Sequence, residues 1–524
     1  MKNLFLPLFA ALTLTSNSQA APINPTDSIS LVRLYDATNG DNWNNAWDLA
    51  DPASSWYGVT VNKKGSVVAL DLRANNLEGE LPKMGLKYAT SVNLSDNELI
   101  GTMPSFNAFV SLEYLNLSKN GLEGSIPNLY TLTSLQHLDL SENHFTGVLP
   151  TFMDNVEMAV LKLNNNYIGG DIIDFPSLVN LTELHLNNNR LEGMVPDFQN
   201  MPALQRIYIG NNDLTGPVPN FTNMFDLTIF NAAGNQLTGK MPNFAFIPNL
   251  GTLDLSNNTI DGPLPEFTNL PNLRKLYLQN NSLSDEIPTF QFCFQLADLR
   301  LNNNHFEAAT MIAAPSLFLI DVSENRLTFD DILSVLNIAN SNSFAVIYDN
   351  QASFGAPVSM MAKFNNPVTF DLAIDHNVTT NVYTWYKDGV YFTTVNGNNT
   401  LTINQTTAKT EGVYTCVVTN PNASMETLES STFTLTTNAG TTATTVTDIS
   451  VTVYPNPTTN TISIATPFKS GAKIQVINNQ GTVIQSVDAK SDITQIDVTS
   501  LAAGNYFVQY QDNDSNTTKP FIKK

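Results

Sequence analysis

The stretch Leu253-Asp254-Leu255-Ser256-Asn257-Asn258-Thr259-Ile260, followed by Gly262, Leu264 and Pro265, decides the fold of this chain. Its closing asparagine recurs at Asn75, Asn97, Asn120, Asn143, Asn166, Asn189, Asn212, Asn235, Asn258, Asn281, Asn304 and Asn325, and nine consecutive steps are 23 residues long. A fixed period of this size belongs to a repeat architecture. Alternation at Leu253 and Leu255 puts both side chains on one face of a short strand, so the next copy stacks there and continues a parallel sheet. No single repeat can bury its own apolar face.

Other columns keep the same step. Phe152, Phe175, Phe198, Phe221, Phe244, Phe267 and Phe290 recur at 23, with Phe106 two repeats earlier, and predict an internal aromatic spine. Cys293 follows Leu178, Met201, Met224, Ile247 and Leu270 in another core column. A buried amide in the asparagine column can bond the backbone groups that a tight turn leaves unpaired. With Gly124-Ser125-Ile126-Pro127, these phrases resemble the plant-type leucine-rich repeat family, whose repeats carry a Gly-x-Ile-Pro phrase. The resemblance implies a solenoid with a parallel sheet on its concave face and a convex side that is partly β and partly irregular.

A solenoid needs caps. Thr26 to Gly40 reads as an amphipathic helix with Leu31, Leu34 and Tyr35 inward, followed by Trp43, Trp47 and Trp56, which resembles the cap that precedes plant-type repeats. That family's cap often carries paired cysteines; here tryptophan packing must replace the staple. Phe329 to Ala339 reads as a closing helix. The cap is placed at 21–66 and about twelve repeats with the closing element at 67–351.

The chain has 524 residues, with 25 lysines and arginines against 47 acids, a formal charge of -22. Such a balance disfavours a grip on a phosphate backbone, so nucleic acid is not expected as a partner. Residues 21–352 hold 15 bases and 35 acids, so the acidity belongs to the repeats. Lys2 followed by the apolar run Leu4 to Leu14 and the polar end at Ala20 reads as a signal peptide over 1–20. No later stretch has the ~18 uninterrupted apolar residues of a membrane helix, so no transmembrane segment is expected. The two cysteines, Cys293 and Cys416, fall in different structural units and are expected to be free and buried.

From 352 to 437 the pattern changes to period-two alternation with turn signals, which predicts a β-sandwich. Trp385-Tyr386-Lys387-Asp388-Gly389 and Glu411-Gly412-Val413-Tyr414-Thr415-Cys416 resemble an immunoglobulin-like domain, with Tyr414 at the tyrosine-corner spacing. The partner cysteine position is held by Leu372, so no inter-sheet disulfide forms. The threonine-rich stretch that starts at Thr436 reads as a linker, placed at 438–447. Residues 448–524, with Tyr454-Pro455-Asn456-Pro457, Asn478-Asn479-Gln480-Gly481, Leu501-Ala502-Ala503-Gly504-Asn505-Tyr506-Phe507 and Lys523-Lys524, resemble a type IX secretion C-terminal sorting domain. That resemblance implies a second terminal β-sandwich, the type IX secretion machinery as partner, and a product secreted or held on the outer-membrane surface of a Gram-negative bacterium.

None of the five histidines sits in a metal-ligand spacing, and no Walker loop or nucleophile elbow is present. No cofactor, metal or catalytic residue is expected. The residue between the two leucines of each strand faces solvent on the concave side, giving Lys162, His185, Tyr208, Tyr277 and Arg300 among its members. Exposed tyrosine and arginine are enriched at binding hot spots. With Arg206 and Lys275 from the neighbouring column, the expected ligand-binding set is His185, Arg206, Tyr208, Lys275, Tyr277 and Arg300. The expected function is non-catalytic recognition or adhesion toward an extracellular protein or polysaccharide, the alternative being a glycan-binding accessory to secreted polysaccharide-degrading enzymes.

Overall fold

The computed structural model describes residues 23–309, 312–438, 450–466, 471–512 and 516–524. The signal peptide expected over 1–20 and the linker residues after Asn438 lie outside the described residues. Two compact units are present. One runs to Ala352 and includes Thr419–Leu428; the other comprises Ser353–Val418 and Glu429–Lys524.

Each leucine phrase forms a three- to five-residue strand, and the strands join one fourteen-stranded sheet. The twelve repeat strands pair in parallel with a constant register, so that Leu253 opposes Phe230 on one side and Leu276 on the other. Both leucines of the phrase are fully buried. On the opposite side, shorter parallel sheets of four, two and five strands follow the Gly-x-Ile-Pro region. The convex side is therefore partly β, as the resemblance implies.

The asparagine column is the polar seam of this core. Asn258 Nδ2 donates to the carbonyls of Ala232 and Leu255 at 3.1 and 3.0 Å, while its Oδ1 accepts from the Leu237 amide at 3.0 Å. The same three bonds recur at Asn212 and Asn281. One amide thereby satisfies backbone groups in its own coil and in the preceding one that burial would otherwise leave costly. At the far end Gln351 takes over this role, accepting from Leu327 N and donating to the Val322 and Tyr348 carbonyls.

The phenylalanine column is buried throughout. Phe198 and Phe221 stack with centroids 6.5 Å apart, and Phe267 and Phe290 at 5.7 Å. Six of these residues, Phe152, Phe198, Phe221, Phe244, Phe267 and Phe290, hold left-handed backbone angles. Bulky side chains rarely adopt that conformation; burial of the ring offsets it here.

The first cap is a helix over Pro25–Ala37, closed by a 3₁₀ turn at Gly40–Asn42, so the helix ends three residues before Gly40. Asn24 caps its start by accepting from Thr26 N at 3.0 Å. Tryptophans do replace the staple: Trp43 lies 4.9 Å from Trp47, which stacks on Trp56 at 4.7 Å. Their indole N–H groups donate to the backbone carbonyls of Thr38, Tyr57 and Asp48. The closing helix is longer than its apolar pattern suggests, running over Phe329–Asn342 behind a Thr328/Asp331 capping box. A final strand, Ala345–Ile347, then pairs in parallel with Leu319–Asp321.

In the second unit a sandwich sets strands in the order Val358–Lys363, Phe433–Asn438, Gly412–Thr419, Val382–Lys387 and Val390–Asn396 against the antiparallel pair Val368–Asp371 and Thr400–Ile403. Trp385 and Cys416 are fully buried in it, with Phe370 and Phe433 against the indole. Tyr414 donates its hydroxyl to the Thr410 carbonyl at 2.6 Å. Asn438, expected as the first linker residue, is instead in a strand, because Thr436, Thr437 and Asn438 continue a strand paired with Met361–Lys363. Threonine is a good strand former, and Thr437 also donates to the Glu411 carboxylate through its backbone amide at 2.9 Å. The terminal residues form a sandwich of a three-stranded sheet on a four-stranded one, closed around Ile462, Ile474, Val476, Val508, Tyr510 and Phe521.

Candidate functional site

Each concave strand has three positions: the middle residue enters the core, and the first and third face outward. Register aligns the first positions as Glu183, Arg206, Ile229, Thr252, Lys275 and Asp298, and the third as His185, Tyr208, Asn231, Asp254, Tyr277 and Arg300. The six residues expected to bind ligand all stand on this face, but they form two clusters rather than one.

In the first cluster His185 and Tyr208 stack with centroids 4.6 Å apart. His185 Nε2 lies 3.2 Å from Glu183 Oε2, and the Arg206 guanidinium pairs with the other oxygen of the same carboxylate. Burial alone would raise the Glu183 carboxyl; the hydrogen bonds from Arg206 and His185 hold it below its usual range. Burial pulls the His185 imidazole below its ordinary value despite the Glu183 bond.

In the second cluster Tyr277 donates its hydroxyl to Asp298 Oδ2 at 2.7 Å. The Arg300 guanidinium lies 5.1 Å from the Tyr277 ring centre and reaches Asp298 Oδ1 at 3.2 Å. Burial, then the Asp298 hydrogen bond, push the Tyr277 phenol up to about 12. Lys275 stands exposed in the adjoining column. Between the clusters Asn231 donates to Asp254 at 3.0 Å, and three strand steps separate Tyr208 from Tyr277, roughly 14 Å at ~4.8 Å each.

Sequence reasoning missed the two organising carboxylates, Glu183 and Asp298. It also missed the upstream continuation, where Tyr114 and His137 stack at 4.6 Å. His137 is itself pulled down by burial and feels Asp139 and Lys162. Glu183, Asp298, Tyr114 and His137 all lie in the first outward column, from which the sequence reading drew only Arg206 and Lys275. Both arginines are internally paired, so within the two clusters the aromatic rings are held by charge, while Lys275 stands exposed beside the second. Such an array can stack on planar or apolar groups and exchange hydrogen bonds.

Comparison with known families agrees with this geometry. Leucine Rich Repeat models match residues 111–131, 134–156, 180–201, 249–270 and 272–293. The chain carries leucine-rich repeats, and they build a solenoid. More particularly, residues 452–524 match the secretion system C-terminal sorting domain, which marks it for type IX export to the cell surface or extracellular space. Among solved structures it resembles PEPR1-AtPEP1 at 23% identity and TM-score 0.47, covering 64% of this chain and 56% of that one. A plant ice-binding protein resembles it at 25% identity and TM-score 0.45, covering 56% and 91%. The functional domain of InlJ from Listeria monocytogenes does so at 16% identity and TM-score 0.42, covering 70% and 90%. The chain thus spans a little over half of the PEPR1-AtPEP1 chain. No curated protein matches it. No described helix is long and apolar enough to cross a membrane.

Proposed function

We propose that this chain is a non-catalytic binding or adhesion protein whose concave solenoid face recognises an extracellular protein. In this reading 21–351 form the capped solenoid, the sandwich that follows is an immunoglobulin-like spacer, and 448–524 serve export. The observation that carries it is the pair of aromatic clusters, His185–Tyr208 and Tyr277–Arg300, fixed on one rigid sheet by ion pairs made within the face. Prepaid ordering of long side chains lowers the entropy cost of binding. The half-buried tyrosine rings also favour a second reading, stacking on sugar rings of a polysaccharide, which makes the protein an accessory to secreted hydrolases.

The test is binding of the secreted chain to an array of extracellular proteins and polysaccharides, beside a Tyr208→Ala/Tyr277→Ala variant of unchanged melting temperature. A protein ligand held by the wild type and lost by the variant supports the first reading. A polysaccharide with the same dependence supports the second. Equal binding by both chains rejects the site.

A further inference from the structure

The sandwich in the second unit has an undefended flank. The strand Val390–Asn396 ends its sheet, with Val382–Lys387 as its one neighbour, and Thr400–Ile403 pairs with Val368–Asp371 alone. Both are edge strands, and they line the same groove of about 560 Å³, formed by Phe392, Thr393 and Val395 facing Thr400, Leu401 and Thr402. Edge strands are ordinarily protected by charge or proline, because their free N–H and C=O groups template pairing with another chain. Among the described edge strands of four residues or more, the others carry such a residue: Lys363, Asp371, Glu307, Asp488, Asp497, and Lys519 with Pro520. Val390 to Ile403 contains no charged residue and no proline. It also leaves large apolar side chains in solvent, Val390 at 69% and Tyr391 at 62% exposure.

Charge selects the occupant. The chain carries a formal -22, concentrated in the repeats, so a basic partner is drawn to the solenoid. Two copies of this chain repel one another through their acidic repeats, so a contact between copies is favoured away from the repeats and where charge is missing. Beside Val390–Asn396 the hairpin's own charges, Lys387 and Asp388, neutralise each other at 2.6 Å, and Asp371 stands on the inner neighbour of Thr400, away from the strand Val390–Asn396. A two-fold contact sets one patch against itself, which suits a strand of uncharged strand formers, Tyr391, Thr393, Thr394 and Val395. We propose that this flank is a self-association surface, where the Val390–Asn396 strands of two copies pair antiparallel across a two-fold axis and their sheets become continuous. The apolar residues at the hairpin tip and the mouth of the groove are then covered. This inference is independent of the concave-face reading.

The test is sedimentation equilibrium of the full secreted chain across the micromolar range, with Thr394→Lys and Thr394→Glu variants. Thr394 is exposed and outside the core. The wild type is expected as a dimer, and each variant alone dissociates at least about tenfold more readily through like-charge repulsion across the axis. An equimolar mixture of the two variants regains the dimer, a result that misfolding cannot produce. Asn396→Lys, at the end of the strand, provides a second charged probe, and Tyr277→Ala leaves the dimer intact. A wild type that stays monomeric throughout, or a dimer indifferent to the charged variants, overturns the proposal.

Discussion

The hydroxyl of Tyr277 donates to Oδ2 of Asp298 at 2.7 Å, reaching diagonally across one strand step of the concave sheet. That carboxylate also accepts from Arg300, whose guanidinium lies over the same ring. Asp298 therefore sets the attitude of both groups. Asp298→Asn removes the negative charge that disfavours the phenolate, while burial, the larger cause, remains. The Tyr277 titration is expected to move down from about 12 yet stay above the ordinary phenol range, followed by NMR of the ring carbon bearing the hydroxyl. An unmoved titration would show that this bond does not form in solution.

Asn212 and its neighbour Asn211 separate the two asparagine columns. Asn212 is buried and bonds the Leu186 and Ile209 carbonyls and the Leu191 amide. Asn212→Ala strands these groups, at a cost of about 1–3 kcal/mol. Asn211 is exposed and holds a φ of 54°, donating to Asn188 at 2.7 Å. Gly234 occupies the same column one repeat later, also at positive φ. Asn211→Gly keeps that conformation available and is expected within about 0.5 kcal/mol of wild type. Urea unfolding of the two variants measures the contrast, and equal losses would contradict it.

What was legible in the sequence followed from repetition. A residue that returns once per coil has one structural reason to do so, and Asn258, Leu253 and Phe244 could each be assigned from their columns. The tryptophan cap followed from a cluster with no cysteine to replace it. Less legible were features that depend on two elements meeting. Glu183 and Asp298 are ordinary acids in the sequence and acquire a role only when register brings them beside Arg206 and Tyr277. Thr436 to Asn438 have linker composition, and it is the exposed edge of Met361–Lys363 that makes them a strand. The left-handed backbone of the spine phenylalanines likewise had no local signal, because tertiary burial overrides the intrinsic preference.

The spine makes a steep prediction. Phe221 is fully buried, stacked on Phe198 and edge-on to Phe230 at 4.7 Å. Phe221→Ala opens a cavity between two coils that cannot collapse without breaking register, and should cost about 3–5 kcal/mol. Urea unfolding with an unchanged denaturant slope measures it; a loss below about 1 kcal/mol would mean the coils repack around the gap.

The two thiols test burial in both units. Burial pushes Cys293 up to about 11 and Cys416 up to about 12. The thiolate is the reactive form, so neither is expected to react with a disulfide reagent in the native protein at neutral pH, and both react after unfolding. Prompt labelling of one thiol in the native chain would locate an opening of the unit that holds it.

Stability should also carry an acid signature of the concave face. Burial lowers the His137 and His185 imidazoles, so the folded protein favours their neutral forms. Below the ordinary imidazole value of about 6.5 the unfolded chain binds more protons than the folded one. The stabilisation is complete above that value and is lost as pH falls through the lowered folded values. Glu183, held low, acts in the same sense but in the carboxylate range, whereas Asp27 and Glu426, raised by burial, act in the opposite one. His137→Gln is the cleaner probe, because His185 also bonds Glu183 and its removal would shift that carboxyl as well. Subtracting the His137→Gln profile from the wild-type profile cancels the carboxylates and leaves the imidazole. Urea unfolding between about pH 7.5 and about pH 5 is expected to show a shallower acid loss in the variant. Parallel profiles would mean that His137 titrates as it does in the unfolded chain, and that the Tyr114–His137 stack does not exclude water from the ring.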